Sequence, residues 1–179
     1  DGVLSANGGN GTGSYGGGGG SGGSINILAD TISGSGILSS DGGSGGVGGS
    51  RYPGGGSGGL ISLRLTSGQV STDLLAIAST DPGNGAGGAA KKGAAGQVYS
   101  KDAGQTNFNL KIGGDSIPQS ITPLSGDSIV IDTFTISNAW VTLTSATISS
   151  GMTLPVGSSN TITYDSLNIL SGDLTLPEN

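Results

Sequence analysis

The sequence predicts an all-β protein, a parallel β-helix or solenoid with glycine-rich excursions in its N-terminal half. Two observations carry that expectation: strand-like segments recur at a fixed offset, and glycine supplies 39 of the 179 residues. The first is the mark of a repeat architecture. The second argues against a helical protein, because each glycine costs about 1 kcal/mol in a helix relative to alanine.

The repeat is visible at Gly16–Leu28, where GGGGGSGGSINIL runs from glycine directly into an alternating strand. It returns at Pro53–Leu63 as PGGGSGGLISL and in worn form at Gly93–Tyr99 as GAAGQVY. Aligning Ile25 with Ile61 gives an offset of 36 residues, and Ile61 with Val98 gives 37. Independently, Gly2-Val3-Leu4-Ser5 matches Gly36-Ile37-Leu38-Ser39 at an offset of 34. The chain therefore opens in phase with its own repeat. Two expectations follow: it is a segment of a longer chain, or its open end meets another copy.

Between the strands lie two excursions, Asn7–Gly23 and Asp41–Gly59, within a stretch (residues 1–60) holding 25 of the glycines. Two accounts compete for them. Gly/Ser sequence is the usual composition of a flexible linker. Extended three-residue-per-turn helices packed side by side, as in polyglycine II, are the ordered alternative. The strand signals are Ser24–Leu28, Thr31–Ser33, Gly36–Ser40 and Leu60–Thr66, with Ile61, Leu63 and Leu65 on one face. Thr72–Ser79 suits either a helical turn or a strand; its place before Asp81-Pro82-Gly83 matches that of Ile37–Ser40 before Asp41-Gly42-Gly43, which favours strand. Val98-Tyr99 and Phe108–Ile112 follow, separated by a polar turn, and Gly113–Thr122 resembles a linker.

From Leu124 the texture changes. Glycine thins, and strands of 3–5 residues are expected at Ser128–Ile131, Phe134–Ile136, Val141–Leu143, Thr147–Ile148, Thr161–Tyr164, Leu167–Leu170 and Leu174–Leu176. Turns at Asp132-Thr133, Ser137-Asn138-Ala139, Ser149-Ser150-Gly151 and Ser171-Gly172-Asp173 would separate them. These spacings favour β-helix coils over hairpins, since two-residue hairpin turns of the Asn-Gly type are absent. The expected organisation is residues 1–123 as glycine-rich repeats and residues 124–179 as regular short-strand rungs continuous with them.

Composition excludes much chemistry. With no cysteine and no histidine, disulfides, thiolate nucleophiles, imidazole acid–base catalysis and an ordinary zinc site are ruled out. A net charge of −6 lacks the basic face that nucleic acid requires. No apolar run reaches the ~18 residues of a spanning helix, so no membrane insertion is expected. Low lysine with abundant Ser, Thr, Gly and Asn fits a secreted or surface protein.

Three motifs are weaker than they look. Gly83-Asn84-Gly85-Ala86-Gly87-Gly88 satisfies G-x-G-x-x-G but is followed by more glycine repeat and not by a helix that could hold a pyrophosphate. Gly8-Gly9-Asn10-Gly11 and Gly42-Gly43-Ser44-Gly45 begin like calcium nonapeptides, yet Gly13 and Val47 stand where the liganding Asp belongs. Calcium on loop acids such as Asp41, Asp81 or Asp127 is the one cofactor chemistry left open; otherwise none is expected, and the competing role for these acids is capping turns. Thr133/Thr135, Thr142/Thr144 and Thr161/Thr163 each set two hydroxyls on one strand face, which suits a flat binding surface but equally a solvated sheet. Asn10-Gly11-Thr12 is a glycosylation sequon.

Ser-Gly-Gly-Ser-Ile-Asn-Ile at 21–27 and Ile-Ser-Gly-Ser-Gly-Ile-Leu-Ser-Ser-Asp-Gly-Gly at 32–43 resemble the glycine-rich β-helix repeats of large microbial surface proteins and adhesins. Thr142-Leu143-Thr144, Ile162-Thr163-Tyr164 and Leu167–Leu176 resemble rungs of the same class. The expectation is a non-catalytic extracellular or cell-surface protein: a surface fibre, an adhesin segment or a filament subunit. Its partners would be copies of itself joined end to end by strand addition, through Val3, Leu4 and Ser5 at one end and Leu174, Thr175 and Leu176 at the other. The competing expectation is a module binding cell-surface glycans, or a polysaccharide-active enzyme; no cluster of Asp with Arg or Lys and aromatic platforms marks a catalytic site.

Overall fold

The computed structural model describes residues 2–13, 16–48, 52–87, 91–114, 120–124, 129–153, 160–170 and 174–175. Strands form where apolar residues alternate with small polar ones. In chain order they are β1 (Val3–Ser5), β2 (Ser24–Ala29), β3 (Ile37–Ser39), β4 (Leu60–Leu65), β5 (Ala78–Ser79) and β6 (Gln97–Lys101). Then come β7 (Phe108–Gly113), β8 (Thr122–Leu124), β9 (Ile129–Ser137), β10 (Trp140–Thr153), β11 (Thr161–Ile169) and β12 (Leu174–Thr175). One short helix, α1 (Thr72–Ile77), stands between β4 and β5.

The all-β class holds, but the parallel β-helix does not. The strands form a curled mixed sheet of nine strands and a separate parallel sheet of three. The three-stranded sheet has the order β1-β3-β5; the larger runs β11-β10-β9-β7-β6-β4-β2, with β8 and β12 also paired to β10. What breaks the expected architecture is one reversal. β6 and β7 pair antiparallel, with Tyr99 opposite Leu110, and Gly104 at φ 81 lets the chain turn back between them. A β-helix needs every strand of a sheet to run the same way, so a hairpin at this point ends that regularity.

On the N-terminal side of the reversal, the pairing follows the sequence offsets. Ile25 lies opposite Ile61, Ile61 opposite Val98, and Val3, Leu4 and Ser5 lie opposite Ile37, Leu38 and Ser39, all in parallel register.

The reversal also marks where the sheet changes its buried face. On β4 and β6, Ile61, Leu63, Leu65 and Val98 pack with Leu38, Val70, Leu74 and Ala78 beneath α1 and the small sheet. Beyond it, the opposite face is buried: Leu110, Ile112, Phe134, Ile136, Val141, Leu143, Ile148 and Met152 form a second core inside the curl. Tyr99 and Val98 are neighbours in sequence and belong to different cores because successive side chains point to opposite faces. Phe134, Ile136, Ile112 and Ile61 are completely buried.

Local expectations are corrected as well. Thr72–Ile77 is helical, and only Ala78-Ser79 is strand. Ser71 caps the helix by accepting a hydrogen bond from the Leu74 amide, and Asp73 sits in its first turn. Thr31–Ser33 is not a strand. In the C-terminal part the strands are fewer and longer than expected, up to the fourteen residues of β10. Asp132-Thr133 lies within β9 and Ser149-Ser150-Gly151 within β10, where a register shift between Ile148 and Gly151 bends the pair without ending it. Among the expected turns that are described, only that at Ser137–Ala139 interrupts pairing, with Asn138 at φ 50. The expected turn at Ser171–Asp173 lies outside the described residues.

Candidate functional site

The described residues of the two excursions are ordered. Six extended segments pack side by side: residues 6–12, 40–46 and 80–86 run one way, and residues 16–23, 53–59 and 91–96 run back. Donors recur every third residue. The Gly8 and Gly11 amides donate to the Asp41 and Ser44 carbonyls, and the Gly42 and Gly45 amides to those of Asp81 and Asn84. On the returning segments Gly19 and Gly22 donate to Gly54 and Ser57, and Gly55 and Gly58 to Lys91 and Ala94. A second set links the opposed directions: Gly20 to Gly9, Gly43 to Gly20, Gly56 to Gly43 and Gly83 to Gly56. Three residues per turn is the period of a polyglycine-II helix, and each turn aims its amides at different neighbours.

Glycine is required here by distance. A Cβ at Gly19 would stand 1.8 Å from the Gly43 carbonyl oxygen, one at Gly43 2.1 Å from that of Gly9, and one at Gly56 2.0 Å from that of Gly20. Asn7, Asn10, Asp41, Ser44, Asp81 and Asn84 recur at every third position of their segments. There they form ladders. The Asn7 side-chain oxygen accepts from the Asp41 amide (2.7 Å), the Asp41 carboxylate from the Asp81 amide (2.8 Å), and the Asn10 oxygen from the Ser44 amide (2.7 Å). Ser79 donates to Asp41 at 2.5 Å, and the Ser39 hydroxyl lies 2.6 Å from Asn7 Oδ1 and 2.8 Å from Asp41 Oδ2, one proton between two acceptors. Asp41 is thus a structural acceptor. Asp81 packs its carboxylate against Gly114, and Asp127 lies outside the described residues. Among the described residues no group of three or more acidic, His or Cys side chains is gathered for a metal.

The lattice has one covered end and one open end. At the far end Ala94 bridges Ser120, the Ser120 hydroxyl donates to the Lys92 carbonyl, and buried Thr122 donates to that of Ala95. At the near end, among the described residues, β1 pairs only with β3, and β2 only with β4. The amides of Asn7 and Asn10 have no partner among the described residues, whereas those of Asp41, Ser44 and Asp81 are each held by an Asx side chain of the preceding layer. Val3 is 69% exposed, Leu4 47%, Ile37 53% and Leu28 64%, and β1 overhangs a hollow of about 280 Å3 lined by Ile32, Leu38 and Leu74.

Val3, Leu4 and Ser5 therefore sit together on a strand whose outer edge is unpaired among the described residues. Leu174 and Thr175 pair with Met152 and Thr153 at the far end of β10, in the other sheet, and Leu176 lies outside the described residues. The first-layer amides at Asn7 and Asn10 were missed by sequence reasoning; the signal for them was the three-residue polar spacing shared by Asn7/Asn10 and Asp41/Ser44. No protein-family model, curated protein or solved structure matches this chain.

Proposed function

We propose that this chain is a non-catalytic structural module of the cell surface or extracellular space, a fibre or adhesin segment that joins a second copy by strand addition at its open face. The observation that carries this reading is the first layer. Its two strands have a free edge, and its Asn7 and Asn10 amides lack the Asx acceptors that serve the equivalent amides of the next layers. An added layer satisfies those donors, covers Val3 and Leu4, and continues both sheets. The glycine lattice behind that face supplies stiffness, since its segments are cross-linked to neighbours on several sides at every turn.

Light scattering over a broad concentration range tests the reading. Growth of the particle mass with concentration is expected, and its loss in the double variant Val3→Lys, Leu4→Lys, because charge on an edge strand blocks pairing. A wild-type chain that stays monomeric throughout would overturn the end-to-end assembly.

A further inference from the structure

Where the large sheet changes its buried face, it leaves a polar strip uncovered. Asn109 and Lys111 of β7 lie beside Thr133 and Thr135 of β9, with Lys111 opposite Thr135 in register and Val98 opposite Lys111 on the other side. Leu75 and Ala76 of α1 wall this strip from above, closing an open cleft of about 320 Å3. That lies at the lower end of the range for small-ligand sites.

The polar groups in the cleft divide into two kinds. Asn109 is held in place: its side-chain oxygen accepts from the Thr133 hydroxyl (2.8 Å) and its amide donates to Gln105 (3.4 Å). The Lys111 ammonium and the hydroxyls of Ser100 and Thr135 have no hydrogen-bond partner among the described residues. Asp132, on the neighbouring strand β9, is already engaged by Asn107 (3.1 Å) and Ser149 (2.7 Å). In a chain of net charge −6, a half-buried lysine with no counter-charge among the described residues is out of balance with its surroundings. A partly desolvated ammonium gains most from an anion that also hydrogen-bonds.

We propose that this cleft binds a carboxylate-bearing sugar, one uronic-acid unit of an acidic glycan. Lys111 pairs with the carboxylate. The Ser100 and Thr135 hydroxyls, each both donor and acceptor, match the ring hydroxyls, and Asn109 offers its second amide hydrogen. Leu75, Ala76 and Val98 supply the apolar wall that the C–H face of a pyranose needs. Lys101 serves as an internal comparison: it donates to the Thr106 carbonyl (2.7 Å) and lies 5.4 Å from the Phe108 ring centre, outside the cleft.

The test is an amide-shift titration of the whole chain with glucuronate, glucose and acetate in parallel, at low salt. Glucuronate is expected to give saturable shifts at Asn109, Lys111 and Thr135 with a Kd in the millimolar range. Glucose and acetate should each bind about tenfold more weakly, and added salt should weaken the glucuronate complex. Lys111→Met should cost about tenfold in affinity, Lys111→Arg should restore most of it, and Lys101→Met should change nothing. The map of shifts on the unaltered protein decides the location independently of any variant. Glucose binding as well as glucuronate would overturn the role of the charge. Acetate binding equally would reduce the cleft to an adventitious anion site, and absence of saturation by about 10 mM would overturn the proposal outright.

Discussion

At Gly43 a single methyl group meets the Gly9 carbonyl oxygen at 2.1 Å, and both neighbours are backbone that cannot rotate away. Gly43→Ala is therefore expected to destabilise the fold by about 3 kcal/mol, in the upper range of overpacking costs. Gly9, one layer out, has nothing within 4 Å of the same added atom. Gly9→Ala should be neutral or stabilise by about 0.5 kcal/mol, by restricting the unfolded chain. Urea midpoints of the two variants check this, and equal midpoints would mean the lattice is not close-packed. Tyr99 makes a second residue-scale statement. Its pKa is raised above 10.0 by burial. Below about pH 10 the phenol is protonated in folded and unfolded chains alike, and stability does not depend on it. Above that, the unfolded chain ionises first and binds fewer protons than the folded one, so stability falls as pH rises through the folded pKa. Tyr99→Phe should flatten this alkaline decline in the denaturation midpoint; an unchanged slope would count against the burial.

At the scale of elements, the β6–β7 hairpin is the decisive unit, and Asp102 ties it to the rest. Its carboxylate accepts from the Val70 amide (2.7 Å), its own amide donates to Gln105 (2.7 Å), and the next amide, of Ala103, donates to the Gly68 carbonyl (3.0 Å). Tyr99 and Phe108 meet edge to face across the hairpin, 6.0 Å apart. Asp102→Ala should cost about 2 kcal/mol by leaving the Val70 amide without its acceptor, with Asp102→Asn costing less. Thermal denaturation of both variants measures it. The polar turn between Val98-Tyr99 and Phe108–Ile112 was legible, but its consequence was not. A turn of that length can carry a strand onward or back, and the outcome depends on which face of β7 finds a core. The same limit applied to α1. Thr72–Ile77 is too short for its periodicity to separate helix from strand, and the Ser71 cap with Asp73 was the signal that decided it.

For the whole molecule, hydrogen exchange gives the most direct view of the lattice. The Gly43, Gly56 and Gly83 amides, each bonded to a carbonyl across the lattice, should exchange about 100-fold or more slowly relative to Gly34, which stands in a bend. Ser44, held by Asn10, should be protected, and Asn10 itself should exchange rapidly until its face is covered. Uniformly fast exchange across residues 40–59 would mean the excursions are linkers after all. The sheet around this lattice has two cores on opposite faces, and the uncovered polar strip with Lys111 is a geometric result of that crossover.

The sequence by itself determined the all-β class and the strand registers at offsets of 34, 36 and 37. These follow from local alternation and from repetition, which one chain carries in full. Only the tertiary structure decided that the glycine runs are ordered, that the parallel course reverses at Gly104, and that short rungs fuse into long bent strands. Those outcomes turn on partners far apart in sequence. A polyglycine segment carries no side-chain pattern to announce its neighbours, and the reversal is set by which face of β7 becomes buried.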